Sequence, residues 1–422
     1  MFISNRFPRY TDYNPLVPVW CVTPNTGRSI HRFFDTSPFS PSGRYMAVLR
    51  MPQEECLPQP GETAEIVLID LQTGDESVIA DTRGWEPQMG ANINWGTDDT
   101  SLYFNDVDTV SWKPFCVRLN PLTGEAKRLG GTIYRISPDG KHIISSCMKR
   151  MRRTQYGYGV VVPDEHVPRN YGFRDDDGLY ITDTETGECR LLVSIHDIFE
   201  RAQPSIDKQK YALGECYGFH CKFNPQGDRL IFTLRWFQTN EPEPWNMLEK
   251  HLDFWVLTMK PDGSDIYVAV GPEQWEKGGH HINWYPDGRT LSMNLCIDGH
   301  RQLYLVQANY DGTGLQKIID NLPGSGHPTV HPDGRHILTD AYAGEKVSFG
   351  DGSVPLRLID LTTRTEKTVV RIHVDNPATQ VASALRVDPH PAWAPDYKHV
   401  AFNGYVNGTR RVFVADFGPL LG

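Results

Sequence analysis

Many motifs that would announce a familiar enzyme are missing from this sequence. There is no GxSxG nucleophile elbow, no GxGxxG dinucleotide fingerprint and no GxxxxGKS/T phosphate loop, which leaves serine-hydrolase, Rossmann and P-loop chemistry without a foothold. The eight cysteines form no CxxC pair, so neither a zinc knuckle nor a thioredoxin-like pair is indicated, and they are expected to be reduced. No run of 18 apolar residues occurs, and the opening MFISNRFPRYTDYNPL carries neither a long apolar stretch nor a small-residue cleavage site. A soluble, cytoplasmic protein with no membrane partner is expected. Basic charge is scarce as well: a formal net charge of −10 provides no surface for a sequence-independent grip on nucleic acid. Sustained helical periodicity is nearly absent, with Ser194 to Ala202 reading as one short helical insert.

What the 422 residues do contain is a repeated turn. Copies stand at Ser40-Pro41-Ser42-Gly43, Gly96-Thr97-Asp98-Asp99, Ser137-Pro138-Asp139-Gly140, Asn224-Pro225-Gln226-Gly227, Tyr285-Pro286-Asp287-Gly288, His331-Pro332-Asp333-Gly334 and Ala394-Pro395-Asp396-Tyr397. Proline pre-sets φ for such a turn, aspartate bonds its own backbone and glycine accepts a positive φ. Strand–turn–strand segments interleave with these turns, from Ile66, Phe115, Leu179, Phe254, Leu303 and Leu356, with a truncated copy from Val412. Two hairpins per unit make a four-stranded antiparallel blade, and seven units predict an all-β, seven-bladed β-propeller spanning 1–422 as one domain. The truncated last copy lacks a strand, and LVPVWCVT from Leu16 has no hairpin partner. The N-terminal segment is therefore expected to complete the final blade and close the ring.

Turn prolines recur every 40 to 60 residues or so, except that 87 separate Pro138 from Pro225. The surplus, 148–177, falls between the second and third strands of blade three and is expected to form a long loop or lid over the axial mouth. It opens with Lys149-Arg150-Met151-Arg152-Arg153 and continues with Tyr156, Tyr158, His166, Arg169 and Arg174, while blade four adds Arg235, Trp236 and Trp245. Basic groups beside aromatic rings suit an anionic sugar, because guanidinium grips carboxylate in bidentate fashion.

Five residues before four consecutive turn prolines stand His220, His281, His327 and His390, with Asn92 at the matching place in blade two. That register starts the innermost strand, so several imidazoles are expected around one mouth, where neutral imidazole is a metal ligand. Asp388, two residues before His390, offers an oxygen; His280 should point away by strand alternation; His331 and His336 belong to the opposite face. A nitrogen-rich site with a carboxylate suits Mn, Fe, Ni, Zn or Co. Repeat histidines bonded blade to blade are the plainer alternative.

The stretches GGHHINWYPDG from Gly278, GSGHPTVHPDG from Gly324 and DPHPAWAPD from Asp388 resemble the oligogalacturonate lyases, propeller polysaccharide lyases that share blade turns with TolB-like propellers. The resemblance implies a manganese ion (Mn2+) held at the axis by histidines and a glutamine, an arginine base and a histidine on the substrate side. On that pattern His281 and His390 are metal ligands and His220 is the substrate-side histidine. Of the family's Gln-x-x-His-x-His stretch this chain matches the final histidine, with Asp388 at the middle position and Leu385 at the first, so Asp388 and His327 stand in for the missing ligands or the site differs. Arg150, Arg174 and Arg235 are the candidate arginines; because an arginine's pKa lies above about 12, His220 or a tyrosine such as Tyr217 or Tyr156 is an equal candidate for the base. The implied activity is β-elimination on an acidic oligosaccharide. A non-enzymatic propeller binding a protein or sugar, and a metal-dependent hydrolase or epimerase of acidic sugars, are the competing readings.

Overall fold

Six of the seven turns close in one way. The N–H at the fourth position donates to the carbonyl three residues earlier: Gly43 to Ser40 (2.8 Å), Gly140 to Ser137 (2.9 Å), Gly227 to Asn224 (3.0 Å), Gly288 to Tyr285 (3.0 Å), Gly334 to His331 (2.9 Å) and Tyr397 to Ala394 (2.9 Å). Glycine suits this position because φ is positive there, 65° to 75° in the five glycine turns; Tyr397 holds 52° in blade seven. The prolineless turn of blade two closes through Gly96 N–H to Ser101 instead (2.7 Å).

These turns join innermost to second strands in a computed structural model that describes residues 1–238, 252–299 and 301–421. Its strands form seven four-stranded antiparallel sheets, one per blade. The innermost strands are Ser29–Ile30, Asn94–Trp95, Arg135–Ile136, Glu215–Phe223, Gly279–Trp284, Thr329–Val330 and Ala392–Trp393. Blade seven takes its outermost strand from the other end of the chain: Val19–Cys21 pairs antiparallel with Thr409–Asp416, Trp20 opposite Val414. The ring is closed by the N-terminal strand, so neither terminal sheet edge is left open.

Burial follows position within the blade. Second strands such as Thr290–Cys296 are buried at every residue but the first, whereas the outermost Asp75–Thr82 is largely exposed. Facing blades bury both faces of the middle strands, which is why those read as unbroken apolar runs. The short helical insert is Ile195–Arg201, started by a capping box in which Asp197 N–H donates to Ser194 Oγ (2.9 Å) and Ser194 N–H to Asp197 Oδ2 (3.1 Å). All eight cysteines are free. No helix of the described residues is long and apolar enough to cross a membrane.

In blade three the second strand ends at Ser145 and the third begins at Gly178. Between them, Met148, Met151, Tyr158, Val160, Val162 and Val167 are buried in a core shared with blades three and four. The segment also reaches the links that lead into blades two and seven. Gln88 N–H donates to Gly157 O (3.0 Å), and Arg386 Nη2 donates to Tyr158 Oη (3.1 Å).

Candidate metal centre

The histidine register is made by backbone distortion as much as by repetition. His281 (φ 62°) and His390 (φ 49°) both lie in the left-handed region, as does Asn92 (φ 53°) in blade two. Each such residue with a Cβ costs about 1–2 kcal/mol, so the surroundings must impose it. The innermost strands of blades four and five also slip register, between Gly218 and Cys221 and between His280 and Asn283. Bulges of this kind re-aim side chains. One result departs from simple alternation: His280 does not turn away, and its Nδ1 lies 2.8 Å from His281 Nδ1.

The rings of His281, His327 and His390 follow one another around the axis. His281 stacks on His327 with centroids 3.8 Å apart, and His390 meets His327 edge-on at 4.3 Å. Asp340 holds His327 firmly. Its carboxylate accepts from His327 Nδ1 (2.9 and 3.0 Å) and from the backbone N–H of both His327 (2.7 Å) and His390 (3.1 Å). With Nδ1–H thus committed, Nε2 carries the lone pair, and this atom is buried without a hydrogen-bond partner. Both ring nitrogens of His390 are likewise buried and unpartnered. One donor atom each from His327, Asp388 and His390 lies within 4.8 Å of the others, and all three residues are buried.

Orphaned buried nitrogens are rare, and one from His327 close to one from His390 calls for a bound partner. A proton is a poor one here: burial first, then the neighbouring His327 ring and other basic groups, push the His390 and His281 imidazoles well below their ordinary range, leaving neutral ligands. The donor set of two imidazoles and a carboxylate fits a divalent transition ion, and Asp340 is the outer carboxylate that such histidines need. His281 adjoins this set, but its Nδ1 faces Gly326 O (2.6 Å) and its Nε2 the Tyr342 hydroxyl (3.1 Å).

Opposite the histidines stands a plug that the repeat pattern did not reveal. Phe33 packs against the rings of His220 (5.3 Å), His281 (5.9 Å), His327 (5.5 Å) and His390 (4.6 Å), and Phe34 against those of His281 and His327. The signal available in the sequence was His31-Arg32-Phe33-Phe34-Asp35-Thr36, two adjacent aromatics between charges at the register position of blade one.

A cavity of about 220 Å³ adjoins the histidines, lined by Phe33, Tyr158, His220, Arg235, His280, His281, Tyr342 and Arg386 among others. Arg235 is its most unusual member. The guanidinium sits 3.4 Å over the Phe219 ring and donates to Thr154 Oγ1 and Gln155 Oε1 (both 3.1 Å), with no carboxylate at ion-pair distance among the described residues. Burial without a counter-charge pulls it down to about 9. His220 is kept neutral by burial and by nearby Lys222 and Arg235, and its Nδ1 is bonded to the Tyr134 hydroxyl. Arg386 pairs with Asp388 (2.8 Å), linking the cavity to the three-ligand set.

Arg150, Arg174, Tyr217 and Tyr156, singled out from the sequence, do not line this cavity. Arg150 is paired with Asp177 (3.2 Å), Arg174 with Asp176 (2.6 Å) on the surface, and Tyr217 donates to the buried Glu215. Arg152 and Arg169 pair with Glu86 and Glu215 in turn. The side chains of Asp177, Glu86 and Glu215 are at most 2% exposed, and buried carboxylates need partners, so the basic run neutralises them in place of facing a ligand. Trp245 lies outside the described residues. His331, Asp333 and His336 also cluster, but blade seven repeats the Asp333–His336 pair as Asp396–His399 (2.6 and 2.8 Å), which makes it turn chemistry of the repeat.

No protein-family model matches the chain, and no curated protein does. Among solved structures it is similar to an oligogalacturonate lyase in complex with manganese, with a TM-score of 0.63 and 15% identity over 99% of this chain and 96% of that one. It is also similar to an oligogalacturonate lyase from Vibrio parahaemolyticus, with a TM-score of 0.62 and 14% identity over 99% and 97%. At this identity the likeness is one of fold: a seven-bladed propeller related to theirs.

Proposed function

We propose that the protein is a metal-dependent lyase that cleaves uronic-acid oligosaccharides by β-elimination. The observation that carries this reading is the meeting of two features: the buried, unpartnered nitrogens of His327 and His390 beside Asp388, and the Arg235 guanidinium in the adjoining cavity, which has no carboxylate at ion-pair distance among the described residues. His327, His390 and Asp388 would hold the ion, with His281 at its edge; manganese suits the mixed nitrogen and oxygen set and is the metal of one structural neighbour. Bound there, a divalent ion supplies charge neutralisation at the sugar's C6 carboxylate, which acidifies the proton at C5.

The chain's own groups supply the rest. Arg235, lowered to about 9, has a neutral fraction at ordinary pH and acts as the base at C5–H, the role an unperturbed arginine could not fill. His220 stays neutral and is oriented by Tyr134, so it hydrogen-bonds the sugar without adding charge. Residues 148–177 act as a lid: Tyr158 reaches the cavity wall, and the apolar segment around it excludes water, which strengthens every electrostatic contact inside. Expulsion of the C4 oxygen leaves a 4,5-unsaturated product.

The test is the ultraviolet absorbance of that conjugated product during incubation with oligouronates and Mn2+. Activity should climb about tenfold per pH unit on the acid side and level off near pH 9, the value set by Arg235, and Arg235→Ala should remove it. Cleavage that yields saturated ends only would replace the lyase by a hydrolase; no turnover of any oligouronate with metal present would defeat the proposal.

A further inference from the structure

The axial channel has a second chamber on the face formed by the turns. A funnel of about 840 Å³ runs inward between all seven blades, rimmed by turn residues such as Pro138, Pro286 and Pro395, and reaches Asp35, Arg135 and Lys222. The segment that carries the plug divides the two spaces. Phe33 borders the histidine cavity, whereas Asp35, Thr36 and Ser37 line the funnel.

Charge in the funnel is unbalanced. Asp35 pairs with Lys222 (2.8 Å) and with Arg32 (3.0 Å), and its side chain is 2% exposed. Burial opposes its ionisation, but Lys222, Arg32 and Arg135 together hold its carboxyl well below the usual range. One carboxylate thus faces three cations. Arg135 donates to Thr36 Oγ1 and has no carboxylate at ion-pair distance among the described residues, and burial lowers both it and Lys222. Neutral polar atoms are unfilled too. Trp284 Nε1, Ser37 Oγ and Thr329 Oγ1 are buried without a hydrogen-bond partner, on residues that all line the funnel; Trp284 is only 5% exposed. Buried donors without acceptors are rare in folded proteins.

Surplus positive charge and unfilled N–H and O–H groups in one concave space have a common complement, an oxyanion. Guanidinium meets it with two parallel hydrogen bonds and ammonium as a point charge. We propose that the turn-face funnel binds a small oxyanion-bearing molecule, a carboxylate or a phosphate ester, with Arg135 and Lys222 gripping the anion and Trp284 Nε1 donating to it. The funnel volume lies within the range of small-molecule sites, roughly 300–1,000 Å³. Lys222 also borders the histidine cavity, whereas Arg135 and Trp284 line the funnel alone.

Isothermal titration of metal-stripped, chelator-free protein tests it, with inorganic phosphate and D-glucuronate as separate probes. Saturable binding of one or both is expected, and which probe binds identifies the anion. Arg135→Gln should weaken that binding roughly tenfold or more, the worth of a charged hydrogen bond. Should that variant fail to fold, Trp284→Phe keeps the packing and removes one donor, and a severalfold weakening is expected. The proposal is overturned if neither probe binds, or if the folded variant binds as tightly as the parent protein. Arg135 and Trp284 line the funnel and not the histidine cavity, so weakened binding in these variants reports on the funnel and not on the other chamber.

Discussion

One half of the ring differs from the other at a single register. Blades four to seven place His220, His281, His327 and His390 five residues before the second turn position, whereas blades one to three place Thr36, Asn92 and Ile133 there. The first half provides nitrogen atoms; the second provides a wall. Arg32 donates to Asn92 Oδ1 (3.1 Å) and Tyr134 O (2.7 Å), anchoring the segment whose Phe33 and Phe34 press against the imidazoles. A seven-fold repeat makes seven equivalent positions. The candidate ligand set comes from departures among them, and from filling the vacant side with the apolar rings of Phe33 and Phe34.

Exchanging function between the halves should therefore fail in one direction only. His390→Ala removes a nitrogen donor with no replacement, so the purified protein should lose the proposed metal and the proposed eliminase activity together, as read by elemental analysis and product absorbance. Asn92→Ala, at the same register across the ring, should retain both. Next in size is the wall itself. Phe33 is 1% exposed, and Phe33→Ala should cost about 3–5 kcal/mol of stability, measured by urea unfolding, through lost burial and the cavity left behind. A loss under about 1 kcal/mol would mean that the histidines hold their places without it.

How far the sequence announced these halves depends on what each is made of. The blades were legible because turn chemistry is local: proline, aspartate and glycine specify the same bend wherever they recur, and closure followed from the strand that blade seven lacked. His327, Asp388 and His390 could be named because register in a repeat carries over to space. The plug was illegible, since Phe33 and Phe34 read as two more apolar residues and only the ring brings them to the axis. Asp340 was invisible for a related reason: it acts through His327 Nδ1, 13 residues away in the chain, and carries no spacing signature. The basic run misled because its partners Glu86, Asp177 and Glu215 lie in other parts of the chain or look like surface acids until their burial is known.

Asp340 offers a graded way to sharpen the contrast. It touches no cavity, yet it fixes which nitrogen of His327 is free and bonds the backbone of His390. Asp340→Asn keeps the shape but lets the imidazole change tautomer and rotate, so metal affinity should fall about 10–100-fold without the total loss expected of His390→Ala. Competition with a chromogenic chelator measures it; unchanged affinity would show that Nε2 is presented without help.

A pH-dependent effect belongs to the wall half. Glu86, in the link to blade two, has a fully buried side chain paired with Arg152 of the 148–177 segment. Burial raises its carboxyl to about 7, although Arg152 and the Gly157 N–H pull the other way. Unfolded, the same group titrates at its ordinary 4.5, so between these values the folded chain holds a proton that the unfolded chain has released. Its contribution is complete below pH 4.5, declines by up to about 1.4 kcal/mol per pH unit as pH rises toward 7, and is constant above. Glu86→Gln cannot lose that proton, so the variant should gain on the parent protein across this window in urea midpoint while its metal content stays the same. A stability difference that does not change with pH would mean that Arg152 keeps Glu86 ionised throughout, and that the 148–177 segment is tied down by a permanent ion pair.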